Sequence, residues 1–134
     1  MKFLITFIFT VSFYLYGAEY AVVVDKKNQI TQLSSQHIRD VFLARKQFIG
    51  ENKVIPINLD LNSPLRLIFE EKFLELNREK LNRYWVKKHF QGVSPPYTQS
   101  SIESLKVLIK KVNGAIGYIP QTHLDSDLRV LYEF

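Results

Sequence analysis

The sequence predicts an α/β fold in which a small mixed sheet is covered by helices. Short β-rich runs alternate with segments of helical periodicity along nearly the whole chain. The length of 134 residues fits a single domain, and no repeat or internal linker divides it. Alternation of this kind is typical of layered α/β proteins.

The first predicted strand covers residues 19–24, where the run EYAVVV is rich in β-branched residues. A short helix follows, because a serine at its start can cap it and Ile38, Val41 and Phe42 share one face. The second predicted strand covers 54–59. It contains a proline, which favours an edge or irregular strand.

A third segment, 64–76, carries a strong apolar stripe and predicts a helix that begins at Pro64. A further helix is predicted from 78 to about 89, with Asn77 as its cap. Trp85 lies on the apolar face of that helix, so we expect a core position.

The last third of the chain begins with a loop at 91–99, which is rich in Gly, Pro and Ser. Ser100 and Glu103 then have the spacing of a capping box at the start of a helix that stops before an Asn-Gly pair. Two more strands are predicted at 115–119 and 128–131.

The first 17 residues have the features of a secretory signal peptide. A basic residue precedes the apolar run 3–16, which is shorter than the roughly 20 residues of a membrane span, and small residues follow it. We expect cleavage after Gly17 or Ala18, with an uncleaved anchor as the alternative. Residues 18–134 then form one periplasmic domain.

Composition narrows the classes of function. Without the first 17 residues, 17 Lys and Arg face 13 Asp and Glu, a mild net charge of +4. No cysteine is present, which excludes disulfides and thiol chemistry. His37, His89 and His123 lack metal-ligand spacing, and no catalytic motif is visible, so we expect neither metal, cofactor nor enzyme activity. Nucleic-acid binding is disfavoured because no long basic run occurs.

The candidate ligand site is the segment Asn62-Ser63-Pro64-Leu65-Arg66. Proline fits the first helical position, so Ser63 is the predicted cap, and the free N–H groups of Leu65 and Arg66 favour an anion. The Ser63 hydroxyl and the Arg66 guanidinium would add donors suited to phosphate or sulfate. Plain helix capping is the alternative.

Four segments in order resemble the phosphate-type periplasmic substrate-binding proteins, which have the type 2 periplasmic binding protein fold. They are LSSQHIRDVFLARK, VIPI, NSPLR and VNGAIGYI, and the resemblance runs over residues 20–131. It fits best the short, single-lobe members, often labelled phosphate ABC transporter substrate-binding proteins. The fold that it implies is one lobe of such a protein.

The resemblance implies an oxyanion-binding protein, with phosphate as the expected ligand and an ABC transporter as the expected partner. Ligand-binding residues would be Asn62, Ser63, Leu65 and Arg66. The chain departs from the family loop, however, since Asn62 and Pro64-Leu65 replace glycine and a Gly-Thr pair. An envelope interaction or accessory module that kept the fold without the ligand is therefore the second hypothesis.

Overall fold

The computed structural model describes residues 17–134, so the predicted signal peptide lies outside the described residues except for Gly17. Strands and helices alternate through this part of the chain. A π-helical turn, Glu70–Leu74, follows α2, and a 3-10 turn, Gln121–His123, follows β6. The elements are β1 (Tyr20–Asp25), α1 (Ser35–Phe42), β2 (Phe48–Ile49), β3 (Asn52–Lys53), β4 (Ile55–Leu59), α2 (Pro64–Phe69), α3 (Arg78–Phe90), β5 (Tyr97–Gln99), α4 (Ile102–Lys111), β6 (Ala115–Pro120) and β7 (Leu128–Glu133).

Five strands form one mixed sheet in the order β5-β4-β6-β1-β7, and β2 and β3 form a separate hairpin. Strand β4 is parallel to β5 and β6, whereas β1 is antiparallel to β6 and β7. The carboxyl ends of β4, β5 and β6 therefore share one edge of the sheet. The α/β class with a small mixed sheet, predicted from the sequence, is confirmed.

Helices cover both faces of the sheet. Residues 21–24 of β1 are all 0% exposed, although consecutive side chains of a strand point to opposite faces. On one face α4 packs so closely on Gly117 that an added Cβ would lie 3.0 Å from Leu105. On the other face the Phe69 ring of α2 stacks on Tyr118, with ring centroids 4.0 Å apart.

The helix caps predicted for α1, α2 and α3 are present. The Ser34 hydroxyl accepts a hydrogen bond from the backbone N–H of His37, and the Asn77 side chain accepts one from Lys80. Ser63 caps α2, with Pro64 at the first helical position. Each cap satisfies one of the orphan N–H groups at a helix start.

The capping box predicted from Ser100 and Glu103 is wrong. The cap of α4 is Ser101, whose hydroxyl accepts a hydrogen bond from the backbone N–H of Ser104 at 3.1 Å. Since α4 begins one residue later than predicted, Glu103 occupies the second helical position and not the third. Its exposed carboxylate lies 3.7 Å from His123 instead of returning to the cap.

The helix predicted over 64–76 is shorter and is interrupted. α2 passes into the π-helical turn, and the left-handed backbone of Glu75 (φ 56°) ends it. At about 100° per residue, the buried side of this segment carries Leu65, Arg66, Phe69 and Glu70. Ile68, one of the apolar residues of the predicted stripe, lies off that side and is 37% exposed.

Two segments for which no strand is predicted contain short strands. The predicted loop 91–99 ends in β5, which pairs in parallel with β4, and residues 48–53 form the β2–β3 hairpin. Gly50, with a φ of 59°, turns the hairpin. Strands of two or three residues are too short for the alternation of side chains to be visible in a sequence.

Pro56 does not place β4 at an edge, as its sequence suggested. β4 lies between β5 and β6, but β5 pairs only from Ile57 onward. The Ile55 N–H donates toward β6, to the Gly114 carbonyl. Successive nitrogens of a strand face opposite neighbours, so the Pro56 nitrogen faces the β5 side, at a level that β5 does not reach. The missing N–H of Pro56 thus costs no ladder bond.

Within residues 17–134, every helix is too short or too polar to cross a lipid bilayer.

Gly114 provides a test of the packing between β6 and β3. Its φ is +85°, and a Cβ there would lie 2.3 Å from the Lys53 carbonyl oxygen. We expect Gly114→Ala to lower the free energy of unfolding by about 2–4 kcal/mol, measured by urea denaturation.

Gly92→Ala is the matched control, because Gly92 has a similar φ of +78° with open space around it. It should cost only about 1 kcal/mol. Equal losses in the two variants would mean that the contact with the Lys53 carbonyl contributes nothing.

Candidate functional site

The candidate site lies at the carboxyl ends of the parallel strands. β4 ends at Leu59 and β5 at Gln99, and the Asp60 N–H donates to the Gln99 carbonyl at 3.1 Å. Helices α2 and α4 begin within a few residues of these ends, so both helix N-termini lie at the same edge of the sheet. Ligands of open α/β sheets bind at such edges.

The loop before α2 offers neutral donors. The Ser63 N–H closes a turn onto the Asp60 carbonyl at 2.9 Å, and the Ser63 Oγ accepts a long bond of 3.4 Å from the Arg66 N–H. The prediction of a free Arg66 N–H is therefore wrong, because the cap occupies it. The Leu65 N–H has no hydrogen-bond partner among the described residues. Asn62 is exposed beside them. The Leu65 N–H, the Ser63 hydroxyl and the Asn62 amide can therefore donate to an anion.

The side chain of Arg66 does not face this loop, which corrects the sequence-based prediction. It is 10% exposed, its Nε donates to Glu70 Oε1 at 2.8 Å, and one Nη donates to the Leu59 carbonyl at 2.9 Å. A guanidinium buried to this degree needs a carboxylate partner, and Glu70 supplies one from the next helical turn. The i,i+4 spacing of Arg66 and Glu70 was the visible signal for this pair.

A second arginine completes the arrangement. Arg78, at the start of α3, places its Nε 3.4 Å from the other oxygen of Glu70 and donates to the Leu61 carbonyl at 2.7 Å. Glu70 itself is 2% exposed. Two guanidinium groups joined by one carboxylate thus hold the carbonyl groups on either side of Asp60, which fixes the loop.

Tyr118 and Asn58 form a buried polar pair that the sequence did not reveal. The Tyr118 hydroxyl donates to Asn58 Oδ1 at 2.5 Å and accepts from the Leu59 N–H at 3.2 Å. Burial raises the pKa of Tyr118 above its usual value, so the phenol is a neutral donor. These contacts join residues about sixty positions apart, which no local pattern can show.

The histidines lie apart. His37 is in α1, His89 in α3 and His123 in the 3-10 turn. Among residues 17–134, no three His, Asp or Glu side chains come close enough together to hold a metal ion.

Comparison with solved structures identifies the class of fold. A protein from Clostridium perfringens, described as a phosphate ABC transporter substrate-binding protein and solved with bound phosphate, superposes with a TM-score of 0.69 at 17% identity; the match covers 85% of this chain and 44% of that one. An ABC-type phosphate transport receptor from Vibrio cholerae gives a TM-score of 0.67 at 17% identity, covering 85% and 45%. PstS from Borrelia burgdorferi gives 0.66 at 13% identity, covering 85% and 46%.

The chain therefore has the fold of phosphate ABC transporter substrate-binding proteins, and the resemblance seen in the sequence is confirmed for the fold. It spans less than half the length of these structures, as expected for a likeness to one lobe. No protein-family model and no curated protein sequence matches it. Identities of 13–17% show fold alone, and function must be argued from the site.

The ion pairs of Glu70 with Arg66 and Arg78 can be tested through the stability of the protein. Glu70→Ala removes the carboxylate that Arg66 and Arg78 share and leaves a buried guanidinium unpaired. We expect a loss of about 3–5 kcal/mol in the free energy of unfolding, measured by urea denaturation.

The control is Glu79→Ala, which breaks another Glu–Arg pair with i,i+4 spacing. That pair, with Arg83, is 3.3 Å long, and its side chains are 78% and 68% exposed. Its loss should change stability by no more than about 0.5 kcal/mol. Similar small effects at Glu70 and Glu79 would contradict the anchoring role of Glu70.

Tyr118→Phe keeps the stacked ring and removes only the hydroxyl. It leaves Asn58 Oδ1 and the Leu59 N–H buried without their shared partner, and we expect a loss of about 1–3 kcal/mol in thermal denaturation. Tyr97→Phe, at a ring that is 73% exposed, should stay within about 0.5 kcal/mol of the native protein. If Tyr118→Phe left the stability of the protein unchanged, the hydroxyl would contribute nothing to holding the loop.

Proposed function

We propose that the protein is a periplasmic solute-binding protein that binds phosphate or a similar oxyanion at the start of α2. The observation that carries this proposal is the Leu65 N–H, which lacks a partner among the described residues and lies beside the Ser63 hydroxyl at the carboxyl end of a parallel strand. A helix start in this position suits an anion. The solved neighbours, described as phosphate-transport proteins, support the choice of ligand.

The oxyanion would be held mainly by neutral donors. The Leu65 N–H and the Ser63 hydroxyl bind it directly, and the exposed Asn62 amide closes over it. Arg66 contributes only by fixing the loop, because its N–H is bound to the Ser63 hydroxyl and its guanidinium to Glu70 and the Leu59 carbonyl. Glu70 also offsets the positive charge of Arg66, so we expect affinity on the order of 1 mM and not the tight binding of a charged clamp.

Transport is the role that such binding would serve. The neighbours are described as ABC transporter substrate-binding proteins, and this chain would likewise present its oxyanion to an ABC transporter in the envelope. No catalytic step is part of this proposal, since binding and release suffice.

Titration calorimetry at low ionic strength tests the site with inorganic phosphate and with sulfate. Ser63→Asp is the informative variant, because aspartate caps a helix as well as serine does while its charge repels an oxyanion. We expect unchanged thermal stability and a loss of affinity of more than about tenfold.

Ser34→Asp is the matched control, since Ser34 caps α1 in the same way and the substitution adds the same charge. It should leave anion binding unchanged. The assignment fails if neither anion binds the native protein at millimolar concentration, or if the two variants lose affinity equally.

The second candidate is an envelope interaction or accessory module without a small ligand. The inward direction of Arg66 and its pairing with Glu70 favour it, because they remove the cation from the loop. This candidate predicts no heat with phosphate or sulfate, together with a protein that cross-links to the chain in intact envelopes.

A further inference from the structure

Helix α3 has two unlike faces. Leu81 is buried at 4% exposure and the Tyr84 and Trp85 rings are half-buried against the core. At about 100° per residue, Val86 and Phe90 project from the opposite side of the helix. They are 59% and 85% exposed, which makes Phe90 the most exposed large apolar side chain of the described residues. Packing within the chain therefore does not account for these two side chains.

Positive charge is concentrated on the same helix. Residues 78–90 contain five Lys and Arg against one Glu, so α3 carries +4 of the +5 of the whole chain. Lys80, Arg83 and Lys87 are exposed on the same side of the helix as Val86 and Phe90. Arg83 shares its charge with Glu79, whereas Lys80 and Lys87 form no ion pair with any described residue. Phe90 thus projects from a side of the helix that also carries exposed cations.

We propose that this outer face of α3, formed by Lys80, Arg83, Val86, Lys87 and Phe90, docks the protein on an anionic lipid surface. An aromatic ring that enters the headgroup region, with lysines that contact lipid phosphates, is the chemistry that binds a helix to such a surface. The charge is complementary, because anionic lipids attract basic segments close to the bilayer.

The docking face is separate from the oxyanion site. Arg78, at the first turn of α3, contacts the site loop, and Phe90 lies twelve residues further along, about 18 Å at 1.5 Å per residue. The two proposals rest on different residues. Failure of either one leaves the other unaffected.

Local tryptophan quenching in the full-length chain tests the docking face. Trp85, the single tryptophan, is replaced by Phe, and a new one is placed by Phe90→Trp or, as the control, by Val107→Trp on α4, where Val107 is 48% exposed. Vesicles contain brominated phosphatidylglycerol or brominated phosphatidylcholine. We expect the tryptophan at 90 to be quenched at least about twofold more by the anionic vesicles, and the one at 107 to show no such preference.

Replacing Lys80 and Lys87 together by Gln should abolish the stronger quenching of the tryptophan at 90 by anionic vesicles. Salt at 0.5 M should abolish it too, because it screens the attraction between the lysines and the lipid phosphates. Equal quenching at 90 and 107, or equal quenching by neutral and anionic vesicles, would overturn the proposal.

A second measurement keeps the native tryptophan, in case Trp85→Phe unfolds the chain. In co-sedimentation with unlabelled phosphatidylglycerol vesicles, Phe90→Ser should weaken binding at least about fivefold and Val107→Ser should leave it unchanged. Equal binding by both variants would overturn the proposal. If the protein captured an acidic protein but did not bind vesicles, the proposal would also fail, and the face would be assigned to a protein partner.

Discussion

The loop at the carboxyl end of β4 depends on the buried ion pair between Arg66 and Glu70. Arg66 holds the Leu59 carbonyl and Arg78 holds the Leu61 carbonyl, and Glu70 joins the two guanidinium groups. A buried pair costs desolvation, so its value lies less in net stability than in fixing one arrangement of the loop. The same pair removes the only guanidinium of the predicted site from the ligand.

The local features of the fold could be predicted from the sequence. A serine or asparagine at a helix start, a proline at the first helical position and a run of β-branched residues act over a few positions, so they can be read from the sequence alone. The caps Ser34, Ser63 and Asn77 and the strand around Val23 follow from such patterns. The order of four motifs carried the resemblance to phosphate substrate-binding proteins, which the superpositions confirm for the fold.

The features that the sequence did not predict depend on distant contacts or on small shifts of register. The cap of α4 lies one residue later than predicted, at Ser101, and this shift takes Glu103 away from the cap. The buried side of α2 includes Arg66, so Glu70, one turn later on the same side, enters the core where an apolar stripe was expected. The contact of Tyr118 with Asn58 joins β6 to β4, which are distant in the sequence. The helix start capped by Ser63 was thus predictable, whereas the direction of the Arg66 side chain required the packed structure.

The proposed oxyanion site relies on a helix start and neutral donors, with its arginine bound internally. Two-dimensional ¹⁵N NMR during a phosphate titration tests this assignment most directly, because it reports separately on the backbone N–H of Leu65 and the side-chain Nε–H of Arg66. The predicted result is a saturable shift of the Leu65 amide while the Arg66 Nε–H, bound to Glu70, stays in place. A shift of the Arg66 Nε–H with an unmoved Leu65 amide would contradict the assignment.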